Sequence, residues 1–461
     1  MGTSQITDKT HHKTRRKLAS KNSNPVHFEN TSFFSKSTKL RRRASSLSAT
    51  SKSSHDCNRS IFKLKSRSIF YSFFIIYFFS SSNLLKVQAI LSPRNDNFFW
   101  NNNFIPDQQI PSLRQKVKEM FQHAYFSYLD NAFPEDELMP IACKGRRRDR
   151  EKSRGDIDDI LGNYTLTLID ALDTLPLYGM FDEFNHALKH ASFEVKFNSK
   201  VIVSVFETNI RIVGGLIGGH TMVQKIKNSK KIPNSIKNKF DWYDQQLIDQ
   251  AVIVADKLLV AFDTDTGLPR SRVSLFNKLH SSSIISPDQK KSTCTACAGT
   301  LILEFAALSH YTNDDKYYKA GMKTLDFLWR RKNLATNLLG QVINVENGNW
   351  VRTDAGIGAG SDSYYEYLYK GGVMLNDGEL MDRFKIHYDA IEKHIFNESP
   401  IAQNVYMNKP QNVISNFADA LWAFWPGVAA GYWAGMMVRK MIFFFENIKI
   451  MYCTQKHAQK F

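Results

Sequence analysis

Apolar residues recur at helical spacing along most of the chain from residue 113 onward. Leu113, Val117, Met120, Phe121, Ala124, Tyr128 and Leu129 mark one face of a first helix, with Ser112 after Pro111 as its N-cap. The same spacing predicts helices over 113–130, 161–178, 181–192, 203–220, 243–262, 297–310, 314–331, 362–373, 378–396 and 414–424. They form a loose repeat: LIDALDTLPLYG leads to FDEFNHALKHA, LILEFAALSHYT to DDKYYKAGMKTLDFLW, and SYYEYLYKGGVML to DGELMDRFKIHYDAI. Each unit is an apolar helix, a polar turn and an amphipathic helix. Such a hairpin cannot bury its faces alone, so the units stack into a solenoid or close into a ring. Polar residues on the apolar helices favour the ring, because they need a common cavity.

Residues 203–220, VSVFETNIRIVGGLIGGH, place Glu207 and Arg211 inside an apolar run. Their i, i+4 spacing puts both on one helix face. Gly214, Gly215, Gly218 and Gly219 follow, at roughly 1 kcal/mol each in a helix interior, so something packs closely against this backbone. Two readings stand: a buried ion pair, or a catalytic acid at the bottom of a cavity.

The net charge of +17 is concentrated at one end, because residues 1–67 hold 16 Lys/Arg against Asp8, Glu29 and Asp56. The rest of the chain is close to neutral, which argues for a disordered basic tail on the cytosolic side and against a nucleic-acid-binding surface. The 18 uncharged residues between Arg67 and Lys86 are long enough to span a bilayer. With Lys63, Lys65 and Arg67 before it, 68–85 is expected to be a signal anchor, or a late signal peptide, with the rest lumenal. Residues 86–112 read as a linker, 113–427 as the folded domain and 428–461 as a divergent tail. Residues 421–438 are uncharged, but Pro426 argues against a second span. Cys294-Thr-Ala-Cys297 has no second CxxC and no nearby His pair, so two small buried thiols are favoured over a redox pair or zinc.

Carboxylates beside apolar helices are the candidate chemistry. They are Glu207, the pair Asp170 and Asp173 at i, i+3, and Asp362 with Glu366 four residues on. Asp362 is also well placed as an N-cap. Cleaving a glycosidic bond with inversion needs two carboxylates roughly 6.5–9.5 Å apart, a gap that separate helices can supply. The loops Gly155–Asp159, 263–270 and 344–362 are rich in acids and aromatics, as site-bearing loops often are.

FETNIRIVGGLIGGH, LTLIDALDTL, DELMPIACKGR, CTACAGTLILEFAALS and GAGSDSYYEYL together resemble glycoside hydrolase family 47, the class I α-1,2-mannosidases, within their ER degradation-enhancing branch. The resemblance covers about 113–427. It implies an all-α fold, an (α/α)7 barrel of helical hairpins, about five of whose seven hairpins this chain supplies. It also implies a Ca2+-dependent, inverting site that trims mannose from high-mannose N-glycans of misfolded glycoproteins in the ER lumen. By motif, Glu207 resembles the general acid and Asp362 the second catalytic carboxylate. Arg211, Asp170, Asp173 and Glu366 resemble sugar-binding residues. Processing members of the family carry an acid near Cys297 and an arginine near Gly360. Cys143 resembles a cysteine that pairs with a more C-terminal cysteine or with a thioredoxin-like redox partner, and Asn163-Tyr-Thr165 is a glycosylation sequon.

After Gly427 the resemblance stops. The later Arg-Pro-Glu segment with the general base, and the threonine that binds calcium, have no counterpart. The expectation is therefore a C-terminally incomplete mannosidase. The alternative is an inactive form that binds glycoproteins in the ER.

Overall fold

The computed structural model describes residues 107–276, 291–397, 401–415 and 420–435. The basic tail and the apolar 68–85 segment lie outside the described residues. Helix α1 (Ile110–Asn131) carries Pro111 in its first turn, where a missing N–H costs nothing, and buries Tyr125 and Tyr128. It starts inside the stretch read as linker. Ser112 is thus within the helix rather than its cap, and its Oγ donates to the Gln109 carbonyl at 2.9 Å.

Four inner–outer pairs follow among the described residues. In the first, α2 (Leu166–Asp170) and α3 (Thr174–Leu177) pack on α4 (Phe181–Phe193). In the second, α5 (205–228) packs on α6 (Gln246–Leu258). Helix α5 runs through residues 205–228 as Val205–Glu207, a π-helical turn Thr208–Val213, and Gly214–Asn228. The third pairs α7 (Thr295–Gly299) and α8 (Ile302–Thr312) with α9 (Lys316–Arg331). The fourth joins α10 (Asp362–Met374) to α11 (Gly378–Ile391), which is capped by Asp377 through the N–H groups of Glu379 and Leu380. Helix α2 touches α5, α5 touches α8, and α8 touches α10, so the apolar helices line up side by side. Their apolar faces fill two contiguous cores, one from Tyr125 to Tyr317 and one from Leu268 to Tyr432.

The window 161–178 is interrupted by a turn at 171–173, and after the hairpin of β1 (Glu137–Met139) and β2 (Lys144–Arg146) the window 203–220 begins as strand β3 (Ile202–Ser204). The window 414–424 is also broken, because Lys409–Ser415 is a strand. Short antiparallel ladders join the helical pairs. β3 pairs with Arg272–Ser274, Ser292–Cys294 with Val342–Asn344, and Asp354–Ala355 with Asn404–Tyr406. Two of these strands run straight into an inner helix, so the ladders fix where α5 and α7 begin. The acidic loop Gly155–Asp159 is spent on structure. Arg154 and Arg146 hold Asp158 at 2.7 and 3.2 Å, and Arg148 holds Asp159 at 2.6 Å. Arg272, on the strand facing β3, also bonds Asp159.

Packing also runs past Gly427. Residues 425–435 are helical, Val428 and Tyr432 are buried, and Trp433 Nε1 donates to Tyr388 Oη at 2.8 Å. The tail assigned from residue 428 therefore belongs, up to 435, to the domain. Among the described residues no helix is long and apolar enough to cross a membrane.

Three glycines of α5, Gly215, Gly218 and Gly219, face Ile169, Asp173 and Leu172 of the first pair, while Gly214 faces Glu304 of α8. A Cβ at position 215 would lie 2.7 Å from the Ile169 carbonyl oxygen, and one at 218 would lie 3.4 Å from Asp173 Cβ. Gly215→Ala gains roughly 1 kcal/mol of helix propensity but overpacks a backbone contact that has nowhere to move. A net loss of about 1–3 kcal/mol in urea unfolding is expected. An unchanged midpoint would mean that α2 and α5 do not approach this closely.

Candidate active site

Strand β3 ends at Ser204, whose Oγ accepts the Glu207 N–H at 3.2 Å and starts α5. Glu207 thus stands in the first turn of an inner helix. The π turn that follows adds a residue to the local repeat, a feature often found at working sites. Arg211 Nε donates to Glu207 Oε2 at 2.9 Å, and its Nη1 donates to Asp170 Oδ2 at 3.1 Å. The side chains of Glu207, Arg211 and Asp170 are 28%, 36% and 41% exposed, so a ligand can reach all three. The expected Glu207–Arg211 pair is present, and Asp170, far away in sequence, completes it.

Asp170 is the last residue of α2 and Asp173 is the last residue of the turn, at the N-cap of α3, so the two are not on one unbroken helix. They remain close enough to interact. Desolvation raises the Asp170 carboxyl above the usual carboxylate range, Arg211 opposes that shift and Asp173 adds to it. Asp173 Oδ1 accepts from the Thr174 hydroxyl at 3.0 Å.

Asp362 is the first residue of α10 rather than its cap, which is Ser361. It is half-buried, its N–H bonds the Gly358 carbonyl at 3.0 Å, and its Oδ1 accepts from the Ser363 N–H at 2.8 Å. Glu366 pairs with Lys370 at 2.6 Å. Helix α7 and the start of α8 stand between the two groups. Asn209 Nδ2, in the π turn, donates to the Thr300 carbonyl at 3.3 Å, and the Thr300 hydroxyl donates to Ser363 Oγ at 2.8 Å.

Cys294 and Cys297 form a disulfide, which corrects the reading of two free thiols on a helix. Cys294 is the cap of α7, accepting the Cys297 N–H through Sγ at 2.8 Å. Cys297 therefore occupies the same offset from its cap as Glu207 does from Ser204. Cys143 is a free, exposed thiol in the turn between Glu137–Met139 and Lys144–Arg146. Asn163 is half-buried in a left-handed conformation (φ 57°), and Thr165 of its sequon is buried.

Two acids were not singled out from the sequence. Asp136 is 1% exposed and accepts the N–H groups of Asn163, Tyr164 and Leu166 at 2.6, 2.8 and 3.1 Å, fixing the start of α2. Glu304 is buried between Tyr367 and Asn209. An acid inside the apolar run LILEFAALS is the signal that exposed Glu207, and it would have found Glu304 too.

A glycosyl hydrolase family 47 profile matches residues 120–441. ER degradation-enhancing alpha-mannosidase-like protein 3 of Homo sapiens is 45% identical over 320 residues, covering 68% of this chain and 33% of that protein. ER degradation-enhancing alpha-mannosidase-like protein 2 of Homo sapiens is 39% identical over 328 residues, covering 70% of this chain and 52% of that protein. The chain thus spans about a third to a half of the length of these curated relatives. Among solved structures, alpha-1,2-mannosidase from Trichoderma reesei superposes with a TM-score of 0.53 at 25% identity, covering 65% of this chain and 59% of that one. The paired helices are those of the expected all-α, (α/α)7 architecture. The profile runs from within α1 past residue 435 and takes in every element that carries a site residue, so the chain belongs to glycosyl hydrolase family 47.

Proposed function

We propose that this chain is an inverting α-1,2-mannosidase that trims high-mannose N-glycans of misfolded glycoproteins in the ER lumen. The observation that carries the reading is the open Glu207–Arg211–Asp170 cluster at the start of an inner helix. The names of the mannosidase-like relatives support it. Glu207 acts as general acid on the glycosidic oxygen, and Asp362, from a different inner helix, is the second catalytic carboxylate. The Arg211 guanidinium offers further donors to sugar hydroxyls, and Asp170, Asp173 and Glu366 offer acceptors.

Calcium stays part of the proposal through the family resemblance. Among the described residues no group of three or more His, Cys, Asp or Glu side chains could hold a metal ion, so no ligand is assigned and no step is routed through it. A thioredoxin-like partner for Cys143 is proposed on the same footing, and anchoring by residues 68–85 on their uncharged run behind Lys63, Lys65 and Arg67. The exposure of Cys143 supports the former.

Proton NMR of α-1,2-mannobiose hydrolysis by the full chain tests the reading. Inversion yields β-mannose first, and chelator is expected to slow its appearance. α-Mannose first would overturn the assigned roles. Binding of mannobiose without cleavage would support the glycoprotein-binding alternative.

A further inference from the structure

Glu304 is an inner-helix acid with no part in the proposed sugar contacts, yet it is only 9% exposed and fully engaged. Its Oε1 accepts from Tyr367 Oη at 2.6 Å and its Oε2 from Asn209 Nδ2 at 2.9 Å. Asn209 is fully buried in the π turn between Glu207 and Arg211. Tyr367 lies on α10, next to Glu366 and five residues after Asp362. A Cβ at Gly214 would lie 3.6 Å from Glu304 Cγ, so α5 comes close to Glu304 just beyond the π turn. Burying a carboxylate is costly unless its oxygens are bonded, and here the two oxygens bond two different site helices.

We infer that Glu304 is a positioning residue, holding the π turn that presents Glu207 and Arg211 in register with the helix that presents Asp362 and Glu366. The inference rests on the glycosidase reading and adds a residue to it. Burial pushes the Glu304 carboxyl up to about 7, against the pull of its bonds to Tyr367 and Asn209, as expected of a group held in place at a desolvation cost.

The test measures mannobiose hydrolysis and mannobiose affinity for the full chain, Glu304→Gln and Tyr367→Phe. Glutamine keeps the shape but turns one of two acceptors into a donor facing donors. Misplacement by about 1 Å costs on the order of 10²-fold. The expected result is a kcat per folded molecule about 30–100-fold lower in Glu304→Gln and about 3–10-fold lower in Tyr367→Phe, with a smaller loss of affinity through Arg211 and Glu366 than of kcat. A lower melting temperature with kcat per folded molecule unchanged would overturn the inference and leave the glycosidase reading standing. If Glu304→Gln does not fold, Tyr367→Phe decides alone. A wild-type chain that fails to cleave mannobiose overturns the glycosidase reading and takes the inference with it.

Discussion

Changing Glu207 to glutamine is expected to lower mannose release by about 10²–10⁴-fold, the usual worth of a positioned proton donor. The fold should survive the change. The contact that starts α5 uses the Glu207 N–H, donated to Ser204 Oγ at 3.2 Å, and the side chain has no part in it. A glutamine carbonyl oxygen can still accept from Arg211 Nε, so the neighbouring Arg211–Asp170 pair has no reason to move. The variant therefore separates chemistry from architecture. Steady-state rates on mannobiose, with circular dichroism as a control, decide it. A rate within about threefold of the parent would remove Glu207 from the acid role.

The largest expected loss of stability follows Asp136→Ala. Three N–H groups, from Asn163, Tyr164 and Leu166, converge on this buried carboxylate, and removing it orphans all three at once. Each unsatisfied buried donor costs about 1–3 kcal/mol, so a loss of roughly 3–5 kcal/mol is expected after local relaxation. Asp136→Asn keeps one acceptor oxygen, and Oδ1 alone receives Tyr164 and Leu166, so about 1–2 kcal/mol is expected there. The effect should reach the site, because Asp136 sets the start of the short helix that ends in Asp170. Urea titration of both variants measures the gap. A loss under about 1 kcal/mol for Asp136→Ala would mean that these N–H groups find other partners.

The Glu207–Arg211 pair was legible because its spacing is local, four residues on one helix face, and local spacing is what a sequence displays. The crowding of α5 was legible in the same way, from four glycines within six residues. What escaped depends on distant partners. Glu304 meets Asn209 and Tyr367, which are 95 and 63 residues away. Asp136 meets backbone 27 to 30 residues downstream. Strand β3 is three residues long, too short for alternation to register, and exists because Arg272–Ser274 pairs with it. The acids of Gly155–Asp159 looked like a ligand loop, since the arginines that neutralise them include Arg272, which only the fold brings near. The disulfide hid behind a spacing compatible with free thiols, and it became visible with the cap geometry that pulls Cys294 back over α7.

The most direct measurement is mannose release from a high-mannose N-glycan by the full 461-residue chain, followed by glycan mass in parallel with Glu207→Gln. Stepwise loss of single mannose units by the parent chain, absent from the variant, is the expected result. An intact glycan after incubation with a folded, monodisperse parent chain would contradict a glycosidase and leave the paired helices as a scaffold for binding.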